Sequence, residues 1–186
     1  MTRYIKCPMS IKQFAHHTEY KERLLDAISN SWAEEYVYPD CYTDIDRCDY
    51  ARAGDLTKPY FHMIDKHMFN HLKEIYNDWG YTFFKIHDYW FQQYKKGSEH
   101  GWHTHLNCSF TGVYYLDLPE DAPKLQIRNP DSLHEIETID VKEGDVVIFP
   151  SLVLHRSAKN QSDEMKTIIS FNMSVSLEKV EGLYDD

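Results

Sequence analysis

The sequence has no apolar run near the roughly 20 residues that a membrane-spanning helix needs. Its opening residues, Met1–Phe14, hold no apolar stretch of the kind that opens a secretory leader, so a cytoplasmic protein is the expectation. Basic residues are outnumbered: 20 Lys and Arg face 30 Asp and Glu, a formal charge of −10. A duplex-binding face is basic, so neither nucleic acid nor a membrane is the expected partner. Cysteine is sparse. Cys7, Cys41, Cys48 and Cys108 form no Cys-x-x-Cys pair, and reduced thiols are expected in place of a disulfide framework. The Asn-x-Ser sequons at Asn107, Asn160 and Asn172 read as chance matches without an export signal. Neither an internal repeat nor a low-complexity stretch divides the chain, so residues 1–186 are expected to form one domain.

What is present is a globular composition with many rings. Hydrophobic residues make up 42% and charged residues 27%, and the 15% aromatic content, including 14 Tyr, argues against disorder. The pattern changes near Gly80. Tyr20–Glu35 carries Leu24, Leu25, Ile28 and Trp32 at helical spacing. Tyr36–Lys58 reads as a long irregular loop. A second helix follows Pro59, with a stripe of Ile64, Met68, Leu72 and Ile75 or Tyr76, and Gly80 is its expected stop. Both stripes are expected to pack against a sheet.

After Gly80 the residues favour strands: Tyr81–Ile86, Tyr89–Tyr94, Phe110–Leu118, Lys124–Arg128, Glu135–Val141, Asp145–Phe149 with a continuation to His155, and Lys166–Leu177. Short strands separated by Pro, Gly and Asp predict an all-β sandwich or barrel and not a βαβ array. The expected class is mainly β with helices (α+β). Residues 1–80 form a helical flank and loop, 81–177 the core and 178–186 a tail.

Histidine is where the chemistry concentrates. His100-Gly101-Trp102-His103-Thr104-His105 holds three in six residues. In an extended strand, His-x-His puts two imidazoles on one face. Imidazole suits iron, zinc, copper and nickel. His155 follows the apolar strand Val146–Pro150 and lies 50 residues beyond His105, a separation that a jelly-roll return bridges. Lys166 opens Lys166–Asn172, in which Lys166, Ile168, Ser170 and Asn172 would share one face opposite Ile169 and Phe171. That polar face is suited to an anion, although a solvent-exposed strand edge would also explain the lysine.

In this order, His-x-His, Phe110-Thr111-Gly112-Val113-Tyr114-Tyr115-Leu116, Gly144–Pro150, His155, and Lys166 followed by Ile169-Ser170-Phe171-Asn172 resemble the Fe(II)/2-oxoglutarate-dependent oxygenase superfamily. They look closest to a group of oxygenases found in bacteriophages and marine bacteria. The resemblance covers about Trp90–Asn172. It implies a double-stranded β-helix (jelly roll) with one iron at its open end. By position His103 matches the first ligand of the superfamily's facial triad and His155 the last. His105 stands where a carboxylate is usual, and His100 is an alternative to one of the pair.

Lys166 matches the basic residue that pairs with the distal carboxylate of 2-oxoglutarate. Tyr94, Tyr114, Ser170 and Asn172 are candidates to assist it, because a lysine ammonium is a point charge and not a fork. The implied cofactors are Fe(II) and 2-oxoglutarate. The implied reaction is oxidation by O₂, by default hydroxylation, with 2-oxoglutarate converted to succinate and CO₂. The expected setting is the cytoplasm, or a host's cytoplasm if the protein is phage-encoded.

Two other readings stand beside it. One is a cupin-like three-His metalloenzyme without 2-oxoglutarate, which leaves Lys166 idle. The other is a non-catalytic β-sandwich, an interaction or virion module. The substrate is not written in the sequence. Tyr36–Lys58 and the two helices are expected to cover the site's mouth, with Trp90, Gln92, Trp102 and Asp46-Arg47 as possible lining.

Overall fold

In the computed structural model of the protein, residues 7–129 and 132–177 are described. The expected tail, 178–186, lies outside them.

Two sheets stack face to face. The larger has seven strands in the order β1 (Ser10–Gln13), β9 (Asp145–Pro150), β6 (Phe110–Asp117), β11 (Lys166–Ser176), β4 (Phe83–Tyr94), β3 (Thr43–Cys48), β2 (Glu34–Tyr38). The smaller has the order β5 (His100–His103), β10 (His155–Ser157), β7 (Leu125–Asn129), β8 (Ser132–Thr138). All of the pairings are antiparallel. The sheets stay open as a jelly-roll sandwich and do not close into a barrel.

Strand alternation splits the apolar residues into two cores. On the inner face, Trp90, Val113, Tyr115, Val147, Phe149 and Ile168 of the large sheet meet Leu125 and Ile127 of the small one. On the outer face, Tyr89, Phe91, Tyr114, Leu116, Ile148, Ile169 and Phe171 meet the helices α1 (His17–Ser29), α2 (Pro59–His62) and α3 (Asp65–Asp78). Leu24 and Ile28 come from α1, and Met68, Leu72, Ile75 and Tyr76 from α3. Gly80 follows α3 with φ +85°, a left-handed stop that glycine takes without strain.

Several expectations need correction. The first helix ends at Ser29, so Trp32 lies outside it and is 42% exposed. The Arg47 guanidinium donates to the carbonyls of Ile28, Ser29 and Ser31, satisfying the helix's last acceptors from another element. The presumed loop after it is largely the β2–β3 hairpin, which extends the large sheet through Arg47↔Gln93 and Cys48↔Gln92. Residues before Gly80 are therefore not only helical, since β1 also joins the sheet beside β9. The helix after Pro59 breaks into α2 and α3 around Met63-Ile64. Two predicted strands are one, β4, in which His87 is the extra residue of a bulge between Ile86 and Asp88. The helices back the large sheet from outside and do not cover the mouth.

Candidate functional site

The site grows from two strand pairings. His155 of β10 lies directly opposite His103 of β5. Their rings are 4.2 Å apart, centroid to centroid. His105 lies just past the end of β5, where its backbone N–H donates to Ser151 O at 2.9 Å. This turns its ring to 5.2 Å from both His103 and His155. One ring nitrogen from each of the three lies within 4.8 Å of the others.

Two of these imidazoles have a fixed tautomer. His103 Nδ1–H donates to Gly101 O and His155 Nδ1–H to Val153 O, each at 2.8 Å. Nε2 is thereby left as the lone-pair donor on both rings, the usual arrangement behind metal-ligating histidines. Burial holds all three in the neutral form: it lowers the pKa of His103, takes His105 down to about 4, and pushes His155 well below the ordinary value. No proton needs to leave before such a set binds a cation at neutral pH. His100 is placed differently. Its ring stacks on His103 at 3.7 Å and 17°, and its Nδ1 faces Gln92 Nε2 at 3.4 Å. It supports the cluster and is not part of it.

Gly101 holds the His strand against the hairpin. A Cβ there would lie 1.7 Å from Cys41 O. Its N–H donates to Thr43 Oγ1 at 3.2 Å, and its carbonyl orients His103. Beside it, Asp44 and Glu99 exchange both backbone hydrogen bonds, at 2.8 and 2.9 Å.

Behind the histidines a narrow cavity of ≈ 40 Å³ runs between the sheets. Lys166 lines it too and is 1% exposed. Its Nζ donates to Ser157 Oγ at 2.7 Å and Pro123 O at 2.8 Å, and sits 4.6 Å from the centre of the Tyr94 ring. Among the described residues no carboxylate pairs with it, and burial lowers its pKa to about 7. A cation buried among neutral oxygens is costly, so it marks a place for an anion.

The candidate helpers separate by strand phase. Tyr94 stands opposite Lys166 in the β4–β11 pairing and lines the cavity. Ser170 also lines it, donating to Gln92 Oε1 at 3.2 Å. Asn172 lies nearer the mouth, next to His105, with its Nδ2 on Asp88 Oδ2 at 3.0 Å.

Tyr114 is a correction. It faces the helices, where its hydroxyl is hydrogen-bonded to His17 Nδ1 at 2.8 Å, and Tyr115 is the residue of that pair that reaches the cavity. The sequence reading missed Ser157. It lies two residues after His155 on the same strand, so period-two alternation applied to β10 would have found it.

Of the possible lining residues, Trp90 and Gln92 line the cavity. The guanidinium groups of Arg128 and Arg156 lie over the Trp102 ring, at 4.6 and 4.7 Å. Asp46 pairs with Lys95, and Arg47 caps α1 and bonds Gln93.

A search of solved structures returns proteins with this architecture. An oxidoreductase of the 2OG-Fe(II) oxygenase family from Burkholderia pseudomallei superposes with a TM-score of 0.71 at 13% identity, over 89% of this chain and 84% of that one. A prolyl hydroxylase from Trichoplax adhaerens, solved with a hypoxia inducible factor peptide fragment, gives 0.66 at 14% identity over 89% and 83%. The fold is that of the 2OG-Fe(II) oxygenases. The epimerase SnoN, solved with Fe³⁺, alpha-ketoglutarate and nogalamycin RO, gives 0.69 at 9% identity over 96% and 87%. In sequence, the phytanoyl-CoA dioxygenase (PhyH) family matches residues 91–168, a span that includes His103, His105, His155 and Lys166. No curated protein matches the sequence. None of the described helices is long and apolar enough to cross a membrane.

Proposed function

We propose that the protein is an Fe(II)- and 2-oxoglutarate-dependent oxygenase that hydroxylates its substrate. The observation that carries this reading is that three neutral, convergent imidazoles and one buried lysine with no carboxylate partner among the described residues line a single cavity. The match to the phytanoyl-CoA dioxygenase family and the shared fold support it.

His103, His105 and His155 would hold the iron. The donor set fits: it is buried, unprotonated, and has Nε2 free on at least two rings. When bound, iron supplies the redox chemistry that couples decarboxylation of 2-oxoglutarate, giving succinate and CO₂, to oxidation of a substrate C–H bond by O₂. The protein's part is placement. Lys166 Nζ, steadied by Ser157 Oγ and packed on Tyr94, would bind the far carboxylate of 2-oxoglutarate in a charge-assisted hydrogen bond. Ile168, Leu125 and Tyr115 line the same cavity and would flank the cosubstrate's chain and keep water from it. Ser170 holds Gln92 in the wall.

His105 replaces a carboxylate, so the ligand set brings no negative charge to the metal. A three-His centre without an oxo-acid cosubstrate would use the same histidines, but it gives no role to Lys166. The finer likeness, to oxygenases of bacteriophages and marine bacteria, and a cytoplasmic setting belong to the same proposal.

Turnover in the absence of substrate tests it. Supplied with Fe(II), O₂ and a reductant, the protein should slowly convert 2-oxoglutarate to succinate, with inhibition by N-oxalylglycine and loss in His155→Ala. Succinate formed equally by wild type and His155→Ala would assign the reaction to free iron and reject the reading.

A further inference from the structure

The outer cavity, ≈ 670 Å³, has features that neither iron nor cosubstrate would use. Tyr36 of β2, Tyr50 of the short 3-10 turn after β3, and Trp90 of β4 line one side. The rings stand edge to face: Tyr50 and Trp90 are 5.1 Å apart at 74°, and Tyr36 and Tyr50 are 5.8 Å apart at 76°. In an edge-to-face pair one ring's edge meets the other's face, so each ring keeps a face turned away from the contact. Asp88 lies two residues before Trp90 on β4 and lines the same cavity. Its described contact is a hydrogen bond from Asn172 Nδ2. Among the described residues no lysine or arginine lines this cavity. Asn172, at its edge, pairs with His105 on one side and with Asp88 on the other.

The rings and the carboxylate favour positive charge. The faces of Tyr and Trp carry the negative lobe of the ring quadrupole, and a carboxylate without a cation adds a full charge. A neutral ring would stack on the aromatic wall without needing Asp88. Trp90 also lies 5.9 Å from the His105 ring, so a group seated on it is next to the three histidines. The hairpin that supplies Tyr36 is fastened to the His strand at Gly101, which fixes the wall relative to the centre.

We propose that this cavity binds the primary substrate through an alkylammonium group, held by the faces of Tyr36, Tyr50 and Trp90 and by the Asp88 carboxylate, with a neighbouring carbon presented to the three-histidine centre. The inference rests on the oxygenase reading, whose site it completes.

Choline and its uncharged isostere 3,3-dimethylbutan-1-ol are the probes. They have the same shape and differ by one charge. Both are titrated calorimetrically into the protein loaded anaerobically with Fe(II) and 2-oxoglutarate. Choline should bind roughly tenfold more tightly than the alcohol. Asp88→Asn and Tyr50→Leu should each remove most of that preference and leave the alcohol unaffected. Tyr50 is 43% exposed, so its replacement tests the wall without opening the core. Equal binding of the two probes, no binding of choline, or a preference that survives both substitutions overturns the inference. The visible absorption band of the same loaded sample separates the two failures. A band present with no charge preference rejects the ammonium site alone, and no band rejects the oxygenase reading and this inference with it.

Discussion

Among single residues, Lys166 and His105 carry most of the proposed chemistry. Lys166 is ordinary in sequence and unusual in place: an ammonium with neutral partners, depressed to about 7 by burial. A carboxylate beside it would raise that pKa again, so 2-oxoglutarate binding should take up a proton above pH 7. The affinity should be flat below about pH 7, where the lysine is charged in both states. It should fall roughly tenfold per unit above, where only the complex is charged. Calorimetry at pH 8 in buffers of different ionisation enthalpy measures the uptake; a buffer-independent heat would contradict it.

His105→Ala should lose most of the bound iron under anaerobic loading, and His105→Asp should retain it; equal iron in His105→Ala and wild type would reject the three-histidine set. Phase was the residue-scale limit of the sequence. Alternation is certain in a strand, but which parity faces inward is set by what the strand meets. In β11 the polar series Lys166, Ser170, Asn172 revealed the phase. In β6 the Tyr114-Tyr115 pair has a ring on each side, and the sequence did not separate them. Tyr114→Phe checks the outcome: it should cost about 1 kcal/mol of stability, by breaking the bond to His17, and leave 2-oxoglutarate affinity unchanged.

At the scale of elements, the His strand works because another element is pressed against it. Gly101→Ala would place a methyl group 1.7 Å from Cys41 O, a backbone atom that moves only with the hairpin. The variant should lose about 1–3 kcal/mol by thermal or urea unfolding and bind less iron, since Gly101 O also orients His103. Wild-type stability and iron content would contradict the clamp. This contact was invisible in the sequence. Glu34–Tyr38 is short, charged and at a sheet edge, with little of the alternation that marks a half-buried strand. The end of α1 was hidden for a related reason: helical spacing continues to Trp32, but the carbonyls that end the helix are satisfied by Arg47, from a strand elsewhere in the chain. The stripe of α3 and the long strands β6, β9 and β11 were legible, because local pattern and tertiary burial agree there.

At the scale of the whole molecule, the two cores divide the labour. The helix-backed outer core stiffens the large sheet, and the inner core leaves a cavity lined by the three imidazoles and by Lys166. The order of motifs along the chain made the fold legible, and the jelly roll brings His103, His105, His155 and Lys166 of β5, β10 and β11 and their flanks around one cavity. The substrate-facing wall was less legible, because Tyr36 and Tyr50 come from the hairpin that read as a loop.

The most direct measurement of the central claim is the visible absorption of the anaerobic Fe(II) protein titrated with 2-oxoglutarate, in wild type and in Lys166→Met. Wild type should show a saturable band. Lys166→Met should show the same band at a roughly tenfold to hundredfold higher 2-oxoglutarate concentration, with the iron content unchanged. No band in wild type, or an identical titration in the two proteins, would contradict it.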